Sequence, residues 1–202
     1  MKKLLLGACI VLLLTQCKKD DLTDTAQAAE LTVPAFTQTG ANTFGTYVDG
    51  KPWANFGSQW LGGLYSGLLS HNEPNAVTAY PGVNSKGDSV YTIRAELTVT
   101  KKGNVIRDET MYLQLPIGQN LQGTRKLVTS DYMVGYRLEN QSYYSLVSSP
   151  VIATVYQDTL ISGKHIISGK FQGTLFGYTN PGVPLTNSVQ LTGGVFDVVV
   201  TN

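Results

Sequence analysis

Cysteine is almost absent from this chain of 202 residues: Cys9 and Cys17 are the only two. No disulfide framework can hold such a chain together, so its stability must come from a buried apolar core. Charge is sparse as well, at 14% of residues with a net charge of +1. Lysine and arginine form no block, which removes the electrostatic footprint of a nucleic-acid partner, where phosphate neutralisation dominates affinity. Histidine occurs twice, at His71 and His165, too few for a zinc site without added carboxylates. No two glycines are separated by a single residue, and none precedes Lys-Ser or Lys-Thr, so the dinucleotide fingerprint and the phosphate loop are both missing. Gly-x-Ser-x-Gly is missing too, and with it the strained serine elbow. Asp108 and Glu109 form an isolated acidic pair without the spaced carboxylates and glycine turn of a calcium loop. A carboxylate pair for glycoside hydrolysis would form only in the fold, and no pair stands out in the sequence. No metal, cofactor or catalytic residue is expected.

What is present begins at the N-terminus, where Met1, Lys2 and Lys3 precede an apolar run from Leu4 to Leu14. This is the pattern of a signal peptide. As a helix the run would span roughly 16 Å, about half the hydrocarbon core of a bilayer, so a permanent membrane span is not expected. It ends in Leu14-Thr15-Gln16-Cys17, which resembles a lipobox and implies cleavage before Cys17 with lipid, such as palmitate, on that cysteine. Gln16 departs from the small residue usual at that place. Each buried acyl methylene contributes about 0.8 kcal/mol, and several chains together make the attachment lasting. Lys18, Lys19, Asp20 and Asp21 follow directly and resemble the surface-export signal of Bacteroidota lipoproteins. The expected address is the outer membrane, facing the cell exterior, with the periplasmic face as the alternative. Removing the leader takes away Cys9 and lowers the basic side chains from 15 to 13, against 14 acidic ones.

The mature chain then divides in two. Residues 17–38, polar and small apart from Leu31, Val33 and Phe36, read as the lipidated cysteine and a flexible tether. Residues 39–202 read as one all-β domain, an antiparallel sandwich or barrel. Its strongest local signal is a hairpin, with Thr43 to Val48 and Lys51 to Ala54 joined by Asp49-Gly50, a dipeptide suited to the positive φ angles of a type I′ turn. Tyr91, Ile93, Ala95, Leu97 and Val99 alternate with polar residues, which sends one face to the core. A return strand carries Met111, Leu113 and Leu115. Further strands are expected at Tyr132 to Leu138, Val151 to Tyr156, Ile166 to Phe176 and Val189 to Val200. Gly169, Gly173 and Gly177 share one face of the Ile166 strand, where they would let the sheet bend or an aromatic ring lie across it. Gln59 to Leu69 mixes helical spacing with three glycines and is expected to be strand or loop.

Thr39-Gly40-Ala41-Asn42-Thr43-Phe44-Gly45, continuing to Val48-Asp49-Gly50-Lys51 and Trp53, resembles the opening of an uncharacterised family of Bacteroidota lipoprotein domains, a domain of unknown function. Ile167-Ser168-Gly169-Lys170-Phe171 and Gly194-Val195-Phe196-Asp197-Val198 are similar to its last two strands. The resemblance implies a β domain on the surface or facing the periplasm, and it brings no catalytic residue with it. The expected role is a binding or structural module on the membrane, with a glycan or a cell-surface protein as partner and Trp53 or Trp60 as candidate sugar platforms. Packing of Trp53 at its hairpin and of Trp60 in the core is the competing expectation. An extracytoplasmic hydrolase and a subunit of a surface assembly are the alternatives.

Overall fold

The computed structural model describes residues 31–55, 77–101, 104–117, 123–127, 134–138, 141–178 and 184–201. The Asp49-Gly50 hairpin forms as its dipeptide demands, with φ of 49° and 77° at the two turn residues between β1 (Thr43–Val48) and β2 (Lys51–Ala54). The same device recurs at Ser162-Gly163, with φ of 49° and 78°, between β9 (Val151–Ile161) and β10 (Lys164–Tyr178). Both pairs of positive angles match the twist of the strands they join.

The remaining strands are β3 (Val77–Val83), β4 (Ser89–Lys101), β5 (Asn104–Pro116), β6 (Gly123–Leu127), β7 (Val134–Leu138), β8 (Gln141–Tyr144) and β11 (Pro184–Val200). The fold is all-β, a sandwich closed toward a barrel. One layer runs β2-β1-β11-β10-β9-β6 and the other β3-β4-β5-β7-β8. Three residue pairs between β10 and β8 join the layers at one corner, and a single parallel bridge from Val200 to Ala79 joins them at the other. Every other pairing is antiparallel.

Alternation places the core between the layers. Ile93, Ala95 and Leu97 of β4 and Met111, Leu113 and Leu115 of β5 are all fully buried. Facing them are Phe44, Trp53, Ile167, Leu175 and Phe196. Phe44 meets Trp53 edge-on at 5.9 Å and Phe171 at 5.1 Å, geometries that aromatic quadrupoles favour. Gly169 makes this possible, because a Cβ there would lie 2.4 Å from Cζ of Phe196. The ring of Phe196 lies across the glycine, as expected from the glycine-bearing face.

Several details differ from the sequence reading. Strands β3, β6 and β8 have no counterpart in it: Pro81-Gly82 masks the strand pattern of the first without breaking its register, and the other two are too short to alternate convincingly. Strand β9 continues past Tyr156 to Ile161. The tether does not extend to residue 38, because Leu31 already packs against the core and the chain from there to Ala41 is held on the domain. Apolar residues too scattered to announce an element still bury area once a sheet face lies beneath them. The Gln59 to Leu69 segment lies outside the described residues.

Candidate functional site

The site begins with the segment Leu31 to Ala41, which crosses the outer face of β10 and β11. Alternation along β11 sends Phe196 and Val198 inward and Asp197 outward, yet Asp197 is only 1% exposed. Its carboxylate accepts from Thr37 Oγ1 at 2.5 Å and from the backbone N–H groups of Thr39, Gly40 and Ala41 at 3.0, 2.9 and 3.1 Å. Gly40 and Asn42 have φ of 72° and 54°, and this turn of the backbone makes successive N–H groups converge into an anion-binding nest. Asn42 completes the clasp by accepting from Val199 N–H at 2.9 Å. A carboxylate buried without such donors would be prohibitively costly, so the segment and Asp197 require one another.

The clasped segment delivers Phe36 to the outer face, 5.3 Å from the ring of Tyr156, tilted at 58°. Lys170 of β10 reaches between them, its ammonium 5.1 Å from the Phe36 ring and 5.8 Å from that of Tyr156. Beside this trio opens a groove of about 340 Å³, lined by Phe36, Ile152, Thr154, Lys170, Phe171, Gln172, Gly193, Gly194 and Val195. Two irregularities in the sheet shape it. The register of β11 slips by one residue at Gly193 against both neighbours, where φ is 61°. That of β9 slips next to Tyr156, between Val155 and Gln157. Bulges of this kind bend a strand and re-aim its side chains, and here they flank Lys170 from both sides. Tyr156 remains 48% exposed and Ile152 37%. The groove therefore offers ring faces, the Gln172 amide and the Lys170 cation to a ligand.

Two other polar clusters lie within the sandwich. Glu109, 2% exposed, accepts from Trp53 Nε1 at 2.8 Å, from the Tyr136 hydroxyl at 2.5 Å and from Arg107 through Nε and Nη2. Burial first, then the bond and the negative charge of Glu109, push the Tyr136 phenol far above its usual range. Burial works against the Arg107 charge, but its bond and attraction to Glu109 prevail and raise its pKa. With four donor groups aimed at it, Glu109 ties the β2 hairpin to the opposite layer. At the sandwich end, His165 Nε2 lies 2.6 Å from Asp158 Oδ1, with the Tyr91 ring 5.2 Å from the imidazole. Burial, and secondarily the charge of Asp158, raise the Tyr91 pKa. Among the described residues no serine, threonine or cysteine hydrogen-bonds this imidazole.

Trp53, one of the two candidate platforms, is fully buried with its N–H committed to Glu109, and it presents no face to a sugar. Trp60, His71, Cys17, Lys18, Lys19, Asp20 and Asp21 lie outside the described residues. Among the described residues no three His, Cys, Asp or Glu side chains come together as metal ligands. The groove residues were not among the sequence candidates. Phe36 was assigned to the tether, and Tyr156 and Lys170 lie in separate strands whose juxtaposition is tertiary. Glu109 did carry a signal, because it shares the inward parity of Met111, Leu113 and Leu115. Compared with protein-family models, curated proteins and solved structures, the chain finds no match.

Proposed function

We propose that this protein is a lipid-anchored binding module of a bacterial outer membrane, of the kind its lipobox and opening motif resemble, and that it holds a glycan in the groove beside Phe36 and Tyr156. One observation carries the glycan reading: two aromatic rings, Tyr156 exposed and Phe36 partly so, stand beside a groove with polar side chains and a backbone bulge. Sugars are recognised by such a combination, since their C–H faces pack on rings while their hydroxyls need hydrogen-bond partners. The two buried carboxylates among the described residues, Glu109 and Asp197, are engaged by several donors each, which favours binding over hydrolysis.

Titration of the mature chain in detergent with a panel of oligosaccharides, followed calorimetrically, tests the reading. One glycan class is expected to bind, with Phe36→Ala and Tyr156→Ala each weakening it about tenfold, or about 1.4 kcal/mol. Unchanged affinity in both variants would remove the groove as the site. The anchor has its own test: Cys17→Ala should stop incorporation of labelled palmitate and leave the leader uncleaved. Continued labelling of that variant would refute lipidation at Cys17.

A further inference from the structure

Resting on the glycan reading of the groove, we infer that its ligand is an acidic glycan, bearing carboxylate or sulfate groups, and that Lys170 pairs with that charge. Lys170 is held over the Phe36 and Tyr156 rings at 5.1 and 5.8 Å. Ring quadrupoles attract an ammonium without neutralising it. Among the described residues no carboxylate forms an ion pair with Lys170, and no aspartate or glutamate lines the groove. Asp197, on the same outer face, cannot turn to it, being buried and occupied by Thr37, Thr39, Gly40 and Ala41.

This decides between neutral and charged ligands. A neutral sugar covering Lys170 would take an ammonium out of water and return no counter-charge, which costs affinity. A carboxylate or sulfate at the same place returns a charge-assisted hydrogen bond, about twice as strong as a neutral one. The arrangement thus selects for acidic glycans and against neutral ones through a single side chain.

The test uses the mature chain in detergent and matched oligosaccharide pairs: galacturonan and its methyl ester, xylan with and without glucuronate branches, and cello-oligosaccharide with and without sulfate esters. The acidic member of one pair is expected to bind at least about tenfold more tightly than its neutral partner, less so as salt rises. Lys170→Met, which keeps the length of the side chain and removes its charge, should abolish that preference, and Lys170→Arg should retain it. Equal binding of both members would overturn the inference and leave the glycan reading standing. A preference that survives in Lys170→Met would also overturn it, by removing Lys170 as its source. Failure of every pair to bind would overturn both readings. Thermal midpoints of the variants within a few degrees of the parent show that folding is not what changed.

Discussion

Asp197→Ala is expected to lower stability by about 2–4 kcal/mol and to release the segment from Leu31 to Ala41. Four donors converge on this carboxylate. A buried donor left without an acceptor costs about 1–3 kcal/mol, so four of them would exceed any reasonable total if the segment stayed in place. It need not stay: undocking returns the three N–H groups and the Thr37 hydroxyl to water, and the loss is then capped at the docking energy. That energy includes the burial of Leu31 and the contacts of Phe36. Denaturant unfolding should show the lower midpoint, and limited proteolysis should show new cleavage between Leu31 and Ala41. Because Phe36 leaves with the segment, the proposed glycan binding should fall along with it. Asp197→Asn is expected to be nearly as harmful, since its amide NH₂ would face donors. A midpoint and a proteolysis pattern equal to those of the parent would show that Asp197 is not what holds the segment down.

Glu109→Ala should cost a similar amount, about 2–4 kcal/mol, for a different reason. It strands the Trp53 indole N–H and the Tyr136 hydroxyl inside the sandwich and deprives Arg107 of its counter-charge. Removing one partner of a fully buried ion pair costs about 3–5 kcal/mol, but the Arg107 side chain is 34% exposed and can recover water, which places the expectation lower. Glu109→Gln keeps an acceptor for Trp53 or Tyr136 and should fall between the parent and the alanine variant. Equal midpoints for Glu109→Ala and the parent would show that the network contributes nothing.

The same cluster sets an alkaline limit. Tyr136 keeps its proton in the folded protein well above 10.0, its ordinary phenol value. Above about pH 10 the unfolded chain therefore binds fewer protons than the folded one, and stability falls as pH rises. Tyr136→Phe should shallow that slope while leaving it unchanged below pH 9, although Tyr91, whose pKa is also raised, keeps part of it.

Local chemistry was legible wherever the controlling residues are sequence neighbours. The Asp49-Gly50 hairpin follows from two residues that tolerate positive φ, and the faces of β4 and β5 follow from strict alternation. Even the glycine-bearing face of β10 announced that something large would cross it. The all-β class follows from the same short-range rules. The site does not, because its parts lie far apart in the chain: Thr37 and Asp197 are separated by 160 positions, and Phe36, Tyr156 and Lys170 meet only across the outer face of the closed sandwich. Phe36 in isolation is one apolar residue in a polar stretch, and nothing within a few residues of it predicts a clasp. Asp197 sits at an outward position, where a charged side chain ordinarily meets water. Only the segment folded over it makes that carboxylate buried, and only the donors on that segment make the burial affordable. Turns and strand faces are decided by backbone sterics over a few residues, whereas a buried charge and an aromatic groove depend on which distant backbone arrives opposite them, and tertiary packing alone decides that.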